Sequence, residues 1–136
     1  MTDKRTISKG RLWTARIMSG IVILFMLMDS IMKFIKPPSI IEGTVSLGFA
    51  EHDILTLGFL GLLSTLLYAY PKTSVLGAVL LTAYWGGAIA THVRLDNPLF
   101  SHILFPVYLA ILAWGGIWLI NEQLRNLFPF KKYDKP

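Results

Sequence analysis

Four apolar stretches, at about residues 12–35, 53–70, 74–92 and 101–120, are parted only by short links that carry prolines, glycines or charges. Each is close to the roughly 20 residues a helix needs to cross about 30 Å of hydrocarbon. Inside a bilayer every backbone N–H and C=O must find its partner within the protein, which leaves helices as the solution for separate stretches of this length. With 54% hydrophobic and only 15% charged residues, the chain also lacks the polar surface that a soluble domain of 136 residues needs. The pattern predicts an all-α integral membrane protein, a four-transmembrane-helix bundle in contact with the lipid bilayer.

The links add detail. Lys4, Arg5, Lys9 and Arg11 precede the first stretch as they would in a signal peptide, but the apolar run is too long and no small-residue cleavage pattern follows it. It stops at Lys36, Pro37 and Pro38. Ser39 to Glu42 fits a capping box, opening a short interfacial helix between the first and second spans, with Gly48 at its end. Glu51 and Asp53 suit the positive N-terminal end of the second span. Only Pro71, Lys72 and Thr73 join the second span to the third, which makes those two antiparallel neighbours. The fourth follows the polar Asp96-Asn97-Pro98 and carries Pro106 near its first turn, where proline is tolerated. Gly61, Thr65 and Ala69 on the second span, Ala83, Gly87 and Thr91 on the third, and Gly115 with Gly116 on the fourth are expected to face neighbouring helices, because small residues let backbones approach in lipid.

Ten of the 13 lysines and arginines fall on one side: Lys4, Arg5, Lys9, Arg11, Arg16, Lys72, Arg125, Lys131, Lys132 and Lys135. Against them stand Lys33, Lys36 and Arg94. The positive-inside rule then places both termini and the 71–73 turn in the cytoplasm. Residues 1–11 read as a basic cytoplasmic N-terminus, and 121–136 as a basic cytoplasmic tail expected to fray. Trp13, Tyr70, Trp118 and Tyr133 sit where interfacial aromatics belong.

Several function classes drop out. Without cysteine there is no disulfide, thiol nucleophile or Cys-ligated cluster on this chain. The basic residues lie at the chain ends rather than in a stripe with exposed aromatics, so nucleic acid is not an expected partner. The usual soluble nucleotide, hydrolase and metalloprotease motifs are absent.

What remains is a set of ionisable groups inside or beside the spans. Asp29 falls in the outer half of the first span, with Lys33 one turn further on the same face. A charge near the bilayer centre costs about 3 kcal/mol, so Asp29 is expected to face the interior. Glu51, His52 and Asp53 open the second span at that level, His92 and Arg94 close the third, and His102 begins the fourth. Together they suggest a pocket with a charged mouth, walled by Tyr84, Trp85, Met26 and Met28. The candidate ligand-binding residues are Asp29, Lys33, Glu51, His52, Tyr84, Trp85, His92 and Arg94. The bland alternative is a register-fixing ion pair and dipole-matched helix ends. His52, His92 and His102 suit a metal chemically, but their spacing is no ligand motif and no metal is expected.

The runs Leu27-Met-Asp29-Ser-Ile-Met-Lys33-Phe, Lys36-Pro-Pro, Val45-Ser-Leu-Gly48-Phe and Gly86-Gly-Ala-Ile-Ala-Thr-His92-Val-Arg94 resemble, in order, the DoxX-like family of small four-helix membrane proteins. The resemblance covers about residues 12 to 120. Many relatives carry a glutamate in the second helix after a Gly-x-x stretch; here Gly58-Phe-Leu is followed by Gly61, so a mechanism that needs that acid is in doubt. The family is named for a subunit associated with thiosulfate:quinone oxidoreductase, and other members are linked to oxidative-stress assemblies or act as chaperones or cargo receptors. The resemblance implies a four-helix bundle in a bacterial inner membrane; together with the polar cluster beside aromatic residues it suggests an accessory subunit that binds a small hydrophobic ligand, a quinone being one candidate cofactor, in the outer half of the bundle. Arg94 or Lys33 would hold the head group, His92 would move a proton, and Tyr84 and Trp85 would contact the ring. The competing expectation is a non-catalytic interaction or assembly protein, with a partner membrane or redox protein or a second copy of itself, whose polar cluster is structural.

Overall fold

The computed structural model describes residues 6–133; Lys4, Arg5 and Lys135, counted above among the cytoplasmic cations, lie outside the described residues. The fold is all-α, with no strand among the described residues. Its helices are α1 (Lys9–Ile35), α2 (Pro38–Ser46), α3 (Asp53–Ala69), α4 (Ser74–Arg94), α5 (Phe105–Ile120) and α6 (Glu122–Leu127), with a 3₁₀ turn at Pro71–Thr73 and a π-helical turn at Leu99–Ile103. Three segments are long and apolar enough to cross a membrane: Lys9–Ile35, Pro71–Arg94 and Leu99–Ile120. The apolar α3 is shorter, at 17 residues.

Local chemistry sets the helix ends. Ser8 caps α1 by accepting from the Arg11 N–H at 3.3 Å, and Lys36 closes it in the left-handed region at φ 55 before the two prolines. The expected capping box at Ser39 and Glu42 is not formed: α2 starts at Pro38, two residues before the Ile40 that Ser39 would have capped, with no side-chain cap. Proline at the first helical position brings a preset φ and no N–H in need of a partner, so it starts the helix unaided. At the other end Gly48 takes φ 93, its N–H bonding to Val45 O while Phe49 N–H bonds to Thr44 O, the paired bonds of a Schellman ending.

α1 and α4 each pack against both α3 and α5, closing a ring of four helices. The register is antiparallel throughout. A Cβ on Gly58 would meet Lys33 Cβ, one on Gly61 would meet Ser30 and Met26, and Tyr68 reaches Ser19. On the next seam a Cβ on Gly77 would lie 2.1 Å from Tyr68 N, which sets α4 directly on the α3 backbone. α5 meets α1 through Phe105 on Phe25 and Gly116 on Ser19 and Ala15. The core holds Val22, Met26, Tyr68, Ala78, Leu81, Trp85, Leu109, Ala113 and Ile117.

Two expectations are corrected. On α4 the row Ala83, Gly87 and Thr91 does not face a neighbour: Ala83 and Gly87 are exposed, and a Cβ on Gly87 would meet nothing within 4 Å. The inward face is Gly77, Ala78, Leu81 and Trp85, because the three-residue link presses the start of α4 onto the end of α3 and thereby sets its rotation. Nor is the start of the tail loose: Glu122–Leu127 form a helix. Asn121 caps α6 through the Leu124 N–H, Leu124 is buried, and Arg125 donates to Trp118 O and Leu119 O at 3.0 and 2.9 Å. Those carbonyls belong to the last turn of α5, where a cation is favoured.

Candidate functional site

The two ends of the ring differ. At the end opposite the chain termini, here called distal, lie the end of α1, the start of α3, the end of α4 and the start of α5. α1 turns Met26 and Ser30 inward, while Met28 is 58% exposed. Met28 is therefore no pocket wall, because it sits on the opposite face of the helix from Met26 and Ser30. Asp29 and Lys33 flank the buried face and form an ion pair one turn apart, with side chains 29% and 14% exposed. Glycines bring α3 against them. A Cβ on Gly58 would lie 3.0 Å from Lys33 Cβ, and one on Gly61 would lie 3.1 Å from Ser30 Oγ and 3.5 Å from Tyr84 Cζ. Ser30, Gly61 and Tyr84 thus share one level of the interior, with Asp29 next to Ser30 on α1 and Lys33 one turn nearer the distal end. Ser30 Oγ at this level and Trp85 Nε1 on α4 are each buried with no hydrogen-bond partner among the described residues, although buried polar atoms are normally satisfied.

Nearer the distal surface the other candidates separate. The Arg94 Nη2 donates to Leu47 O at 2.7 Å, so the end of α4 caps the end of α2. A Cβ on Gly48 would stand 2.7 Å from that nitrogen, which means the glycine serves both the left-handed turn and the approach of the guanidinium. His92 and His102 meet edge to face with ring centroids 5.5 Å apart, and the π-helical turn carries His102 there. The Asn97 amide donates to His92 Nδ1 at 2.7 Å, and Ser101 Oγ lies 2.7 Å from His102 Nδ1. His52 faces Asp53 at 3.3 Å with its side chain 85% exposed, and Glu51 is exposed. No group of three or more His, Asp or Glu among the described residues is arranged to hold a metal ion.

The eight candidates thus fall into an interior set (Asp29, Lys33, Tyr84, Trp85), a pair of helix-end groups (His92, Arg94) and two exposed residues (Glu51, His52). Two clefts of about 410 and 220 Å³ open elsewhere, and neither is lined by any of the eight. The larger lies at the terminal end, between α1, the α3–α4 turn, α5 and α6; Arg16, Ser19, Tyr68 and Glu122 are among its lining residues. None of these four was named as a site candidate from sequence, Arg16 having been read only as a cytoplasmic cation, although Ser19 and Tyr68 are polar positions inside apolar stretches. The Tyr68 hydroxyl donates to Ala113 O at 2.7 Å and lies 2.9 Å from Ser19 Oγ, linking α3 to both α1 and α5.

A family model described as the DoxX-like family matches residues 17–116, well over half of the chain. No curated protein and no solved structure matches it.

Proposed function

Because the chain belongs to the DoxX-like family, we propose that it is a four-span membrane protein and a non-catalytic interaction subunit whose distal polar residues hold its helices together. Its 17 residues give α3 a rise of about 26 Å, only a few ångströms short of the hydrocarbon thickness. α3 lies antiparallel between α1 and α4, both long enough to span, so the chain returns through the membrane along it. In this reading α2 lies in the distal interface. The bundle of residues 12–120 stands between basic segments 1–11 and 121–136, both cytoplasmic by the positive-inside rule, in a bacterial inner membrane. The exposed small residues Ala83 and Gly87 leave α4 open to close approach by a helix of a partner membrane protein or a second copy.

One observation carries the structural role: the partly buried charged and imidazole candidates are engaged within the chain. Lys33 holds Asp29, and His92 takes the Asn97 amide; the more exposed Arg94 is likewise spent on the Leu47 carbonyl. Asp29→Ala and Arg94→Ala are expected to lower the melting temperature in mild detergent, while His92→Ala, whose bond to Asn97 is local to the end of α4, leaves it nearly unchanged and added short-chain quinone shifts none of them. Wild-type melting in the first two variants, together with a quinone-induced rise, sinks this reading.

A second reading rests on the unpartnered Ser30 Oγ and Trp85 Nε1. Two buried donors, Ser30 near Tyr84 and Trp85 next to Tyr84 in α4, suit the carbonyl oxygens of a quinone in the outer half of the bundle. Tyr84 and Trp85 would contact its ring, Lys33 or Arg94 its polar head and His92 its proton, with Glu51 and His52 at the mouth. A stoichiometric quinone that survives gentle extraction, and is lost in His92→Ala or Arg94→Ala, is the result that favours this accessory-subunit role.

A further inference from the structure

The larger cleft has an ordered lining. Arg16 and Glu122 stand at its outer end, beside Pro71 and Asn121, where α3 and α5 finish. Ile23 lies seven residues further along α1, about 10 Å deeper, and Ile117 one turn up α5. Between these levels the Tyr68 and Ser19 hydroxyls are already committed to each other and to Ala113 O, so the deep part offers an apolar surface. Among the described residues neither rim charge is in an ion pair: the pairs are Asp29–Lys33 and His52–Asp53, and the contact of the Arg16 guanidinium with Trp13, 5.9 Å from the ring centroid, is a cation–π one.

We propose that this cleft seats one phospholipid with a phosphate and a primary ammonium in its head group. The phosphate is held by Arg16, the ammonium by Glu122, and one acyl chain lies along Ile23 and Ile117. Charge complementarity selects this occupant. A cation alone would favour any anionic lipid, but a cation and a carboxylate at one rim match a head group that carries both signs. At about 410 Å³ the cleft has room for the head group and the upper part of one acyl chain, the second chain staying in the bilayer, and the mouth lies at the level where two spans end. The proposal rests on the membrane placement above and not on the role of the distal residues.

The test is native mass spectrometry of the full chain released from nanodiscs holding equal parts phosphatidylethanolamine, phosphatidylglycerol and phosphatidylcholine. One phosphatidylethanolamine per chain is the expected result, retained ahead of the other two. Arg16→Gln should reduce that occupancy by about tenfold, the equivalent of one charged contact, and Glu122→Gln should abolish the preference over phosphatidylglycerol. Both side chains are exposed, so the variants should melt like the wild type. Equal retention of the three lipids, a preference for phosphatidylglycerol, or occupancy that survives Arg16→Gln overturns the proposal, and none of these alters the melting of Asp29→Ala by which the distal role is judged.

Discussion

Removing the Asp29 carboxylate leaves Lys33 as an unpaired charge whose side chain is 14% exposed. Breaking a fully buried pair in this way costs about 3–5 kcal/mol, and breaking an exposed one about 0–1 kcal/mol. This pair lies between the limits: Asp29 is 29% exposed, and the lysine stem can carry its ammonium toward the distal surface. Asp29→Ala is therefore expected to cost about 2 kcal/mol. Most of that loss is the stranded charge, so removing the charge should recover it. Methionine keeps the stem that packs where Gly58 admits it, so Asp29→Ala with Lys33→Met should lie within about 1 kcal/mol of the wild type. The assay is reversible unfolding in mixed micelles, followed by circular dichroism for the wild type, both single variants and the double variant. Additive losses, with Asp29→Ala equally costly in the Lys33→Met background, would refute the argument that the pair is coupled and structural.

Further substitutions probe the packing. Gly77→Ala puts a methyl 2.1 and 2.3 Å from Tyr68 N and Cα; backbone cannot rotate away, so a loss of about 3 kcal/mol is expected in the same unfolding assay, while Gly87→Ala, with open space around it, should be neutral or slightly stabilising. Tyr68→Phe removes the hydroxyl that joins α1, α3 and α5 and should lower stability by about 1–2 kcal/mol; an unchanged midpoint would mean that those bonds merely replace ones to water. Gly48→Ala combines a left-handed φ of 93 with displacement of Arg94, at a cost of about 1–3 kcal/mol. Hydrogen exchange should then accelerate in α2, with Arg94→Ala giving a weaker form of the same change.

The apolar stretches and their proline and glycine punctuation are written in the residues themselves. Spanning helices need no partner to satisfy their backbones, so length and composition alone were enough to establish an all-α membrane protein. The Asp29–Lys33 pair was equally legible, because one turn of helix brings the two side chains together whatever surrounds them. The rotation of α4 was not legible, although Gly61 and Thr65 on α3 and Gly116 on α5 did mark inward faces. Lipid and protein interior are both apolar, so a span lacks the polar face that tells a soluble helix which way to turn. α4 has small residues on two faces, and only the close contact of Gly77 with Tyr68 chose between them. Arg94 read as a helix-end cation, but its partner carbonyl lies 47 residues away and is presented by a turn that needs Gly48. Likewise, the terminal cleft draws on α1, α3, α5 and α6. Its residues are scattered along the chain, and antiparallel packing alone sets Arg16 and Glu122 at one rim.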